Sequence, residues 1–226
     1  MDVPTAQAAQ ELLQRVGDHL HIIKIGLELF TAEGPSIVQQ VLTAGKQVFL
    51  DLKFLDIDET VRRATARVAS MGVSFLTVHA HGKTLQAAVE GRGTQRDLKI
   101  LGVTVLTSQD TQDLREFGST WSVEDLVMAR ARLAFESGCD GVVASGRESG
   151  TLRQVIGPAL SIVTPGVRQL NIRVDDHARA TTPGQAIAAG ADYLVVGRPI
   201  RDAKDPGVAI EALLAEMQFA FDSRTP

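Results

Sequence analysis

One cysteine, Cys139, is the whole thiol content of this 226-residue chain, and aromatic residues make up only 4% of it. A single cysteine excludes an internal disulfide framework and is typical of proteins that work in the reducing cytoplasm. So few aromatic side chains argue against a surface on which nucleic-acid bases stack. We therefore expect a cytoplasmic protein with no nucleic-acid partner.

The chain also has no surplus of positive charge and no long apolar run. Its formal net charge is −4, which leaves no basic footprint for nucleic acid or for an anionic membrane surface. No apolar stretch approaches the length that spans a bilayer, and the first residues lack the apolar core of a signal peptide. With 44% hydrophobic and 22% charged residues, the composition is that of a globular chain without membrane contact.

The sequence shows no metal-ligand cluster and no dinucleotide fingerprint. His79 and His81 alternate along an extended segment, which puts their imidazoles on opposite faces and makes them a poor pair of ligands for one ion. The segment Gly91-Arg92-Gly93 lacks a third glycine and a preceding strand, so it is interpreted as a turn. The sequence therefore predicts no metal and no cofactor.

What the chain does contain is a regular alternation of apolar strand-like runs and amphipathic helical segments. Eight such units follow one another without a linker, which predicts a single α/β domain over residues 1–226, built as a (β/α)8 TIM barrel. Only Met1 to Val3 precede Pro4, so the first strand is expected to be short or truncated. Because of that short strand, a doubly wound sheet is the alternative fold. The other strands are predicted at residues 21–25, 75–79, 100–106, 141–144, 161–164 and 193–196, with one more that begins at Val48.

The stretch from Val48 to Thr60 combines an apolar strand with several charged side chains. Alternation along a strand places Asp51 and Lys53 on the same face. Two opposite charges inside a barrel cost free energy unless they pair or take part in chemistry, so they form either a structural ion pair or part of an active site. Asp56 follows in the next loop, and Thr60 is expected to cap the helix that begins there.

Other polar residues fall at or near the ends of the predicted strands. In a parallel barrel these ends meet at one mouth, where enzymes of this architecture carry their active sites. The convergence favours chemistry over a structural role for the Asp51–Lys53 pair. The residues at these positions are Asp2, Lys24, Asp51, Lys53, His79, Thr107, Arg168 and Arg198.

The turns after the last two predicted strands indicate a phosphate site. Gly166 and Gly197 let the backbone approach an anion closely, and Arg168 and Arg198 supply positive charge. The alternative is that these arginines pair with surface carboxylates. The remaining clustered cations are interpreted as solvated helix residues: Lys46, Arg62, Arg63, Arg130 and Arg132.

These motifs resemble those of the orotidine 5′-phosphate decarboxylase family over essentially the whole chain. The family signature D-x-K-x-x-D-I-x-x-T is present as Asp51, Lys53, Asp56, Ile57 and Thr60. Further segments that resemble family motifs are 2–5, 23–26, 106–108, 164–168 and 193–200. The resemblance implies cofactor-independent decarboxylation of orotidine 5′-phosphate to uridine 5′-phosphate, the last step of de novo pyrimidine biosynthesis, by a homodimer.

The resemblance also assigns roles to individual residues. Lys53 would protonate carbon 6 as CO₂ leaves, next to Asp51, and Asp56 and Thr60 would reach into the site of the partner chain. The implied catalytic residues are Lys24, Asp51, Lys53 and Asp56, and the implied substrate-binding residues are Asp2, Lys24, Asp51, Thr60, Thr107, Ser108, Arg168, His177, Gly197 and Arg198.

Two other functions compete with this one. Sugar-phosphate synthases and decarboxylases of the same suprafamily share D-x-K-x-x-D but use Mg²⁺, and they carry a glutamate where this chain has Lys24. A non-catalytic phosphate-binding barrel would have no use for the charged residues. The chain departs from the family pattern at Asp58, where proline is common, and at His177, where glutamine is usual.

Overall fold

The computed structural model describes residues 1–167 and 181–224. Within these residues, seven parallel strands pair in the order of the sequence and form one sheet. A doubly wound sheet would reverse its strand order at a switch point, so that alternative is wrong. The strands are β1 (Ile22–Ile25), β2 (Gln47–Phe54), β3 (Phe75–His79), β4 (Lys99–Val103), β5 (Gly141–Val143), β6 (Ser161–Thr164) and β7 (Tyr193–Leu194).

The strands alternate with helices, several of which begin at a residue whose side chain caps the helix. Thr5 accepts a hydrogen bond from the Ala8 N–H, and Thr182 shares a capping box with Gln185. The α-helices of the described residues are α1 (Ala6–Val16), α2 (Leu27–Glu33), α3 (Pro35–Thr43), α4 (Asp58–Ser70), α5 (Gly82–Arg92), α6 (Thr111–Glu116), α7 (Val123–Glu136), α8 (Ser149–Ile156), α9 (Pro183–Ala188), α10 (Arg198–Arg201) and α11 (Pro206–Asp222). None of them is long and apolar enough to cross a membrane.

The three residues before Pro4 lie between the first and last parts of the barrel. The Met1 amino group donates a hydrogen bond to the Lys24 carbonyl of β1. On the other side, Arg201 Nη1 of α10 donates to the Asp2 carbonyl, with 3.0 Å between the atoms. Residues 1–3 therefore occupy the place of a first strand without forming a regular one. The prediction of a parallel barrel with a short first strand is confirmed.

Side chains pack on both faces of the strands, as expected for a parallel sheet covered by helices. Inside the barrel, Phe49, Phe75, Leu101 and Val163 form one apolar cluster, and the Phe49 and Phe75 rings lie 5.8 Å apart. A larger cluster joins the outer strand faces to the helices. This packing leaves the carboxyl ends of the strands, and the turns that follow them, as the place for polar side chains.

A buried ion pair ties the amino-terminal ends of β4 and β5 together. Asp140 directly precedes β5, and its Oδ2 atom accepts the Ile100 N–H of β4 at 2.9 Å and a hydrogen bond from Arg92. Arg92 is the last residue of α5, and its side chain is almost fully buried. The interpretation of residues 91–93 as a turn is therefore wrong for Gly91 and Arg92, which are helical.

The same arrangement recurs two strands further along the chain. Asp192 directly precedes β7, and its Oδ2 atom accepts the Ile162 N–H of β6 at 2.7 Å. Arg153 of α8 donates to Asp192 and to the carbonyls of Gly157, Leu160 and Gly190. We call these two Arg–Asp pairs, Arg92–Asp140 and Arg153–Asp192, the base clamps, because they lie at the end of the barrel opposite the mouth.

Two cations that the sequence indicated as solvated are also engaged. Lys46 is buried, and its Nζ atom donates to the Gly17 carbonyl at 2.8 Å. Arg130 of α7 donates to the Thr104 carbonyl just past β4. Both predictions of solvated side chains are wrong, because the charged ends of these residues donate to backbone carbonyls that helical periodicity does not reveal.

Candidate active site

The site is built on an irregularity in β2. Leu50 pairs with Leu76 of β3, but the next pair is Phe54 with Val78, so β2 uses two more residues than β3 over the same span. Lys53 lies in this bulge with a φ of 50°, and among the described residues no other non-glycine has a positive φ. A left-handed backbone costs a non-glycine residue about 1–3 kcal/mol, so the surrounding contacts must hold it in place.

Four charged side chains from three segments form a row of alternating sign at the mouth. Lys53 Nζ lies 2.8 Å from Asp51 Oδ1, and Lys24 Nζ lies 3.3 Å from Asp51 Oδ2. Lys24 Nζ is also 3.4 Å from Asp2 Oδ1. The expectation that Asp51 and Lys53 meet is confirmed, although the bulge rather than simple alternation brings them together. We call these four residues the mouth array.

The mouth array is partly withdrawn from water, and this shapes its charges. Burial by itself raises the pKa of the Asp51 carboxyl, but the ammonium groups of Lys24 and Lys53 and the hydrogen bonds from Lys53 and Thr77 outweigh burial and lower that pKa. Partial burial by itself raises the pKa of the Asp2 carboxyl, but Lys24 and the Met1 amino group together outweigh burial and lower that pKa. Both carboxylates are therefore ionised at neutral pH.

The surroundings of His79, at the end of β3, also shift its pKa. Burial lowers the pKa of its imidazole, and the positive charges of Arg130, Lys53 and His81 lower it further. The imidazole is therefore neutral at pH 7. In addition, burial and the nearby Lys24 lower the pKa of the Met1 amino group to about 5, so this group is also uncharged at neutral pH.

A cavity of about 760 Å³ opens at the mouth array. This volume lies within the usual range for pockets that take small ligands. The predicted site residues that line it, besides the array, are Thr107, Ser108, Gly166, Gly197 and Arg198. The cavity therefore joins the charged array to the two turns that the sequence indicated as a phosphate site.

Two predicted site residues stay apart from the array of their own chain. Asp56 and Thr60 are exposed and do not line the cavity. Helix α4 begins at Asp58 with Ile57 as its N-cap residue, so the prediction that Thr60 caps this helix is wrong. Asp56 instead accepts a hydrogen bond from the Ile57 N–H at 2.6 Å, just before the helix begins. Arg168 and His177 lie outside the described residues.

Sequence reasoning missed two residues that touch the array. The Thr77 hydroxyl of β3 bonds both Asp51 and the Lys53 backbone, and the signal for it was a polar residue within an otherwise apolar strand. Gly26 leaves space for the array, because a Cβ atom there would lie 2.8 Å from Asp2 Oδ1 and 3.3 Å from Lys24 Nζ. That requirement for glycine has no signature in one sequence.

The array does not have the composition of a metal centre. Across residues 1–167 and 181–224, no three histidine, cysteine, aspartate or glutamate side chains are grouped so that they could hold an ion. The two carboxylates of the array each face an ammonium group instead. A divalent cation bound to Asp51 would have to displace both lysines.

Comparison with known proteins shows which family this chain resembles. The model of the orotidine 5′-phosphate decarboxylase / HUMPS family matches residues 1–213. An orotidine 5′-phosphate decarboxylase of Afipia carboxidovorans is 50% identical over 221 residues, covering 97% of this chain and 93% of the relative. One of Rhodopseudomonas palustris is 48% identical over 220 residues, with the same coverage of 97% and 93%.

The fold has a matching solved structure. The crystal structure of orotidine 5′-phosphate decarboxylase from Lactobacillus acidophilus superimposes with a TM-score of 0.85 at 33% identity, covering 96% of each chain. The likeness thus extends over nearly the whole length of both chains. With a family model that spans all but the last helical turns and relatives near half identity, this chain belongs to the orotidine 5′-phosphate decarboxylase / HUMPS family.

Proposed function

We propose that this chain decarboxylates orotidine 5′-phosphate to uridine 5′-phosphate in pyrimidine biosynthesis, without a cofactor. The observation that carries the proposal is the mouth array, in which Lys24 and Lys53 flank the ionised Asp51 at the edge of a nucleotide-sized cavity. The family includes sugar-phosphate enzymes as well as decarboxylases. Lys24 separates the two branches, because an ammonium group cannot help to hold a metal ion.

The reaction needs a cation at one carbon atom. When the bond from carbon 6 to the carboxylate breaks, the electron pair stays on carbon 6 in the plane of the ring and cannot delocalise into the pyrimidine. Stabilisation must then come from charges already held in place. Lys53 supplies the positive charge and transfers its proton to carbon 6 as CO₂ leaves, and the neutral amine regains a proton from solvent.

The other members of the mouth array hold Lys53 and orient the substrate. Asp51 pairs with Lys53 at 2.8 Å and, being ionised, repels the substrate carboxylate. Lys24 bridges Asp51 and Asp2, which places it and Asp2 next to the ribose hydroxyls. Binding energy from the rest of the nucleotide offsets the cost of bringing two carboxylates together.

The remaining polar lining of the cavity binds the two ends of the nucleotide. Gly166, Gly197 and Arg198 take the phosphate, where close backbone approach and a guanidinium suit an anion. Thr107, which is buried, or Ser108, which is exposed, meets the pyrimidine edge. Arg168 and His177 remain sequence predictions for the phosphate.

We further propose a homodimer in which each chain completes the site of the other. Asp56 and Thr60 are exposed at the start of α4, and the apolar side chains beside them are exposed too, Leu55 by 56% and Ile57 by 71%. Exposed apolar groups next to site residues are typical of a surface that a partner covers. An isologous contact would bring Asp56 and Thr60 to the neighbouring mouth.

The domain organisation and the cellular location of the chain are also proposals. We propose that residues 1–226 act as one domain, which the continuous order of the seven strands supports. We also propose a cytoplasmic location, which the free Cys139 supports. Burial raises the pKa of that thiol to about 12, so it plays no nucleophilic part.

A direct assay tests the proposed reaction. Purified protein with orotidine 5′-phosphate should remove the near-ultraviolet absorbance of the substrate, and an excess of chelator should leave the rate unchanged. A rate that falls on chelation and returns with Mg²⁺ would point to the sugar-phosphate branch. A protein that binds the nucleotide but never turns it over would instead be a phosphate-binding barrel.

A further inference from the structure

Thr77 is a polar residue at the centre of an apolar strand. Its neighbours along β3 are Leu76 and Val78, which are fully buried core residues, and Thr77 itself has no exposed surface. A hydroxyl in such a place costs free energy unless it is hydrogen-bonded. Thr77 does not line the cavity, so it is not a contact for the substrate.

The Thr77 hydroxyl makes two hydrogen bonds, and both go to the mouth array. It donates to Asp51 Oδ1 at 2.9 Å and accepts from the Lys53 backbone N–H at 3.0 Å. Asp51 Oδ1 is also the atom that receives Lys53 Nζ at 2.8 Å. One hydroxyl group therefore links the carboxylate, the backbone and, through the carboxylate, the ammonium group of the predicted proton donor.

The position of Thr77 opposite the β2 bulge explains why that link is needed. Strand pairing is lost between Leu50 and Phe54, so the Lys53 N–H has no ladder partner on β3. The Thr77 side chain takes the place of that partner, and Thr77 keeps its own register with Leu101 of β4. The left-handed φ of Lys53 is thus anchored to a strand that is regular on its other side.

We propose that Thr77 is a positioning residue for the decarboxylation, which holds Asp51 and the bulged Lys53 in register through its hydroxyl group. This proposal rests on the proposed function for its catalytic consequence. The hydrogen bond from the Lys53 backbone N–H to the Thr77 hydroxyl does not depend on which reaction the protein catalyses. Thr77 acts on the substrate only through Lys53 and Asp51.

The test compares Thr77→Val, which keeps the branched shape and removes the hydroxyl, with Thr77→Ser, which keeps the hydroxyl. A displaced catalytic group costs about 100-fold per ångström, so kcat of Thr77→Val should fall by about 10- to 100-fold, with KM changed much less. Thr77→Ser should stay within a few-fold of the parent. Thr77→Ala, which also lacks the hydroxyl, replaces Thr77→Val if the latter does not fold.

Thr104→Val is the matched control. Thr104 is equally buried, and its hydroxyl donates to the Val143 carbonyl at 2.8 Å, with no bond to the mouth array. The same change of hydroxyl to methyl at Thr104 should lower stability without lowering kcat of the folded enzyme. If Thr77→Val keeps the parent kcat, or if Thr77→Ser loses as much as Thr77→Val, the positioning role is wrong.

Amide hydrogen exchange followed by NMR tests the link without any substrate. In the parent, the Lys53 amide should be protected although it lies in a break of the strand pairing, and the protection should be lost in Thr77→Val but kept in Thr77→Ser. An unprotected Lys53 amide in the parent would overturn the proposal. A parent that shows this protection but does not decarboxylate orotidine 5′-phosphate would refute the proposed function alone.

Discussion

Ion pairs occur at both ends of this barrel, but they are saturated to different degrees. In the base clamps, Arg153 bonds Asp192 and three backbone carbonyls, and Asp192 also accepts a backbone N–H. In the mouth array, Lys53 Nζ donates a hydrogen bond to Asp51. An ammonium group has three N–H donors, so this one bond does not use them all. The Arg153 side chain thus directs its donors to groups that join neighbouring strands, whereas Lys53 in the mouth array keeps bonding capacity for a ligand.

The choice of cation fits the two tasks. Arginine stays charged and spreads its donors in a rigid fork, which suits a joint between several backbone groups. Lysine carries a compact charge that can lose its proton, which suits a proton donor. An ion pair therefore has to be judged by what else its two partners bond, and not by its distance alone.

The largest effect should come from Lys53→Ala at the mouth. Loss of the proton donor and of the cation near carbon 6 should lower kcat by about 10,000-fold or more, since each of the two contributions is commonly worth about 100-fold or more. Because Lys53 is partly exposed, thermal stability should change little. The turnover of orotidine 5′-phosphate and the binding of the product, uridine 5′-phosphate, are both measured. A kcat within about tenfold of the parent, which is about 1.4 kcal/mol of barrier, would show that Lys53 is not the proton donor.

The second largest effect tests the proposal that a partner chain completes the site at the mouth. The base clamps, in contrast, are formed within one chain. Homodimers of Lys53→Ala and of Asp56→Ala should both be inactive. After subunit exchange of an equal mixture, half of the dimers are hybrids with one intact site each, so activity should return to about a quarter of the parent value. Exchange is verified by mass spectrometry of the native complex. If activity stays absent after verified exchange, Asp56 works within its own chain.

A substitution in a base clamp should lower the stability of the fold and leave kcat unchanged, which is the reverse of the effect expected for Lys53→Ala. Arg92→Met keeps the apolar stem but leaves the Asp140 carboxylate without its buried partner. The free energy of unfolding should fall by about 2–4 kcal/mol. This is less than for a fully buried pair, because Asp140 is partly exposed. That loss corresponds to a Tm lower by about 5–15 °C for a domain of this size. The expected kcat of the folded enzyme is that of the parent. A loss of kcat at unchanged Tm would break the distinction between the two ends.

The smallest effect reports on the positive charge at the mouth. The pKa of His79 is lowered by burial first and then by Arg130, Lys53 and His81, so NMR titration should place it below the ordinary value of about 6.5. Lys53→Met removes one of these charges and should raise the pKa of His79 without restoring it fully, because burial and Arg130 remain. An unchanged value would mean that the Lys53 charge does not reach this imidazole.

The lowered pKa of His79 also makes the stability of the fold depend on pH. Since the folded-state pKa of His79 is depressed, its contribution is fully present above about pH 6.5, where the unfolded chain is also neutral, and it is lost as pH falls through the lower folded-state value. Unfolding of the parent and of His79→Gln, measured from neutral to mildly acidic pH, should therefore diverge, with the parent losing more stability. Parallel curves would contradict the shift.

Much of the fold followed from the sequence because it depends on local patterns. The strands at Phe75–His79 and Ser161–Thr164 have the predicted bounds, since each is a short run rich in apolar and β-branched residues. The short helices α2, α6, α8 and α10 were not predicted. They are too short for apolar periodicity to distinguish them from loops.

The mouth array could be foreseen for a similar reason. Parallel strands bring their carboxyl ends to one place, so Lys24, Asp51 and Lys53 had to lie near each other once the alternation of strands and helices was recognised. The bulge in β2 could not be foreseen, because it depends on how β2 and β3 pair. The left-handed Lys53 and its anchor at Thr77 follow from that pairing.

The sequence by itself determined the order of strands and helices and the kinds of side chain at the mouth, because hydropathy and capping act over a few residues. Only the tertiary structure decided how those side chains are held. The partners of Arg92, Arg153 and Thr77 lie 48, 39 and 26 residues away in the chain. Contacts over such distances arise when strands from different units pack side by side, and no local pattern encodes them.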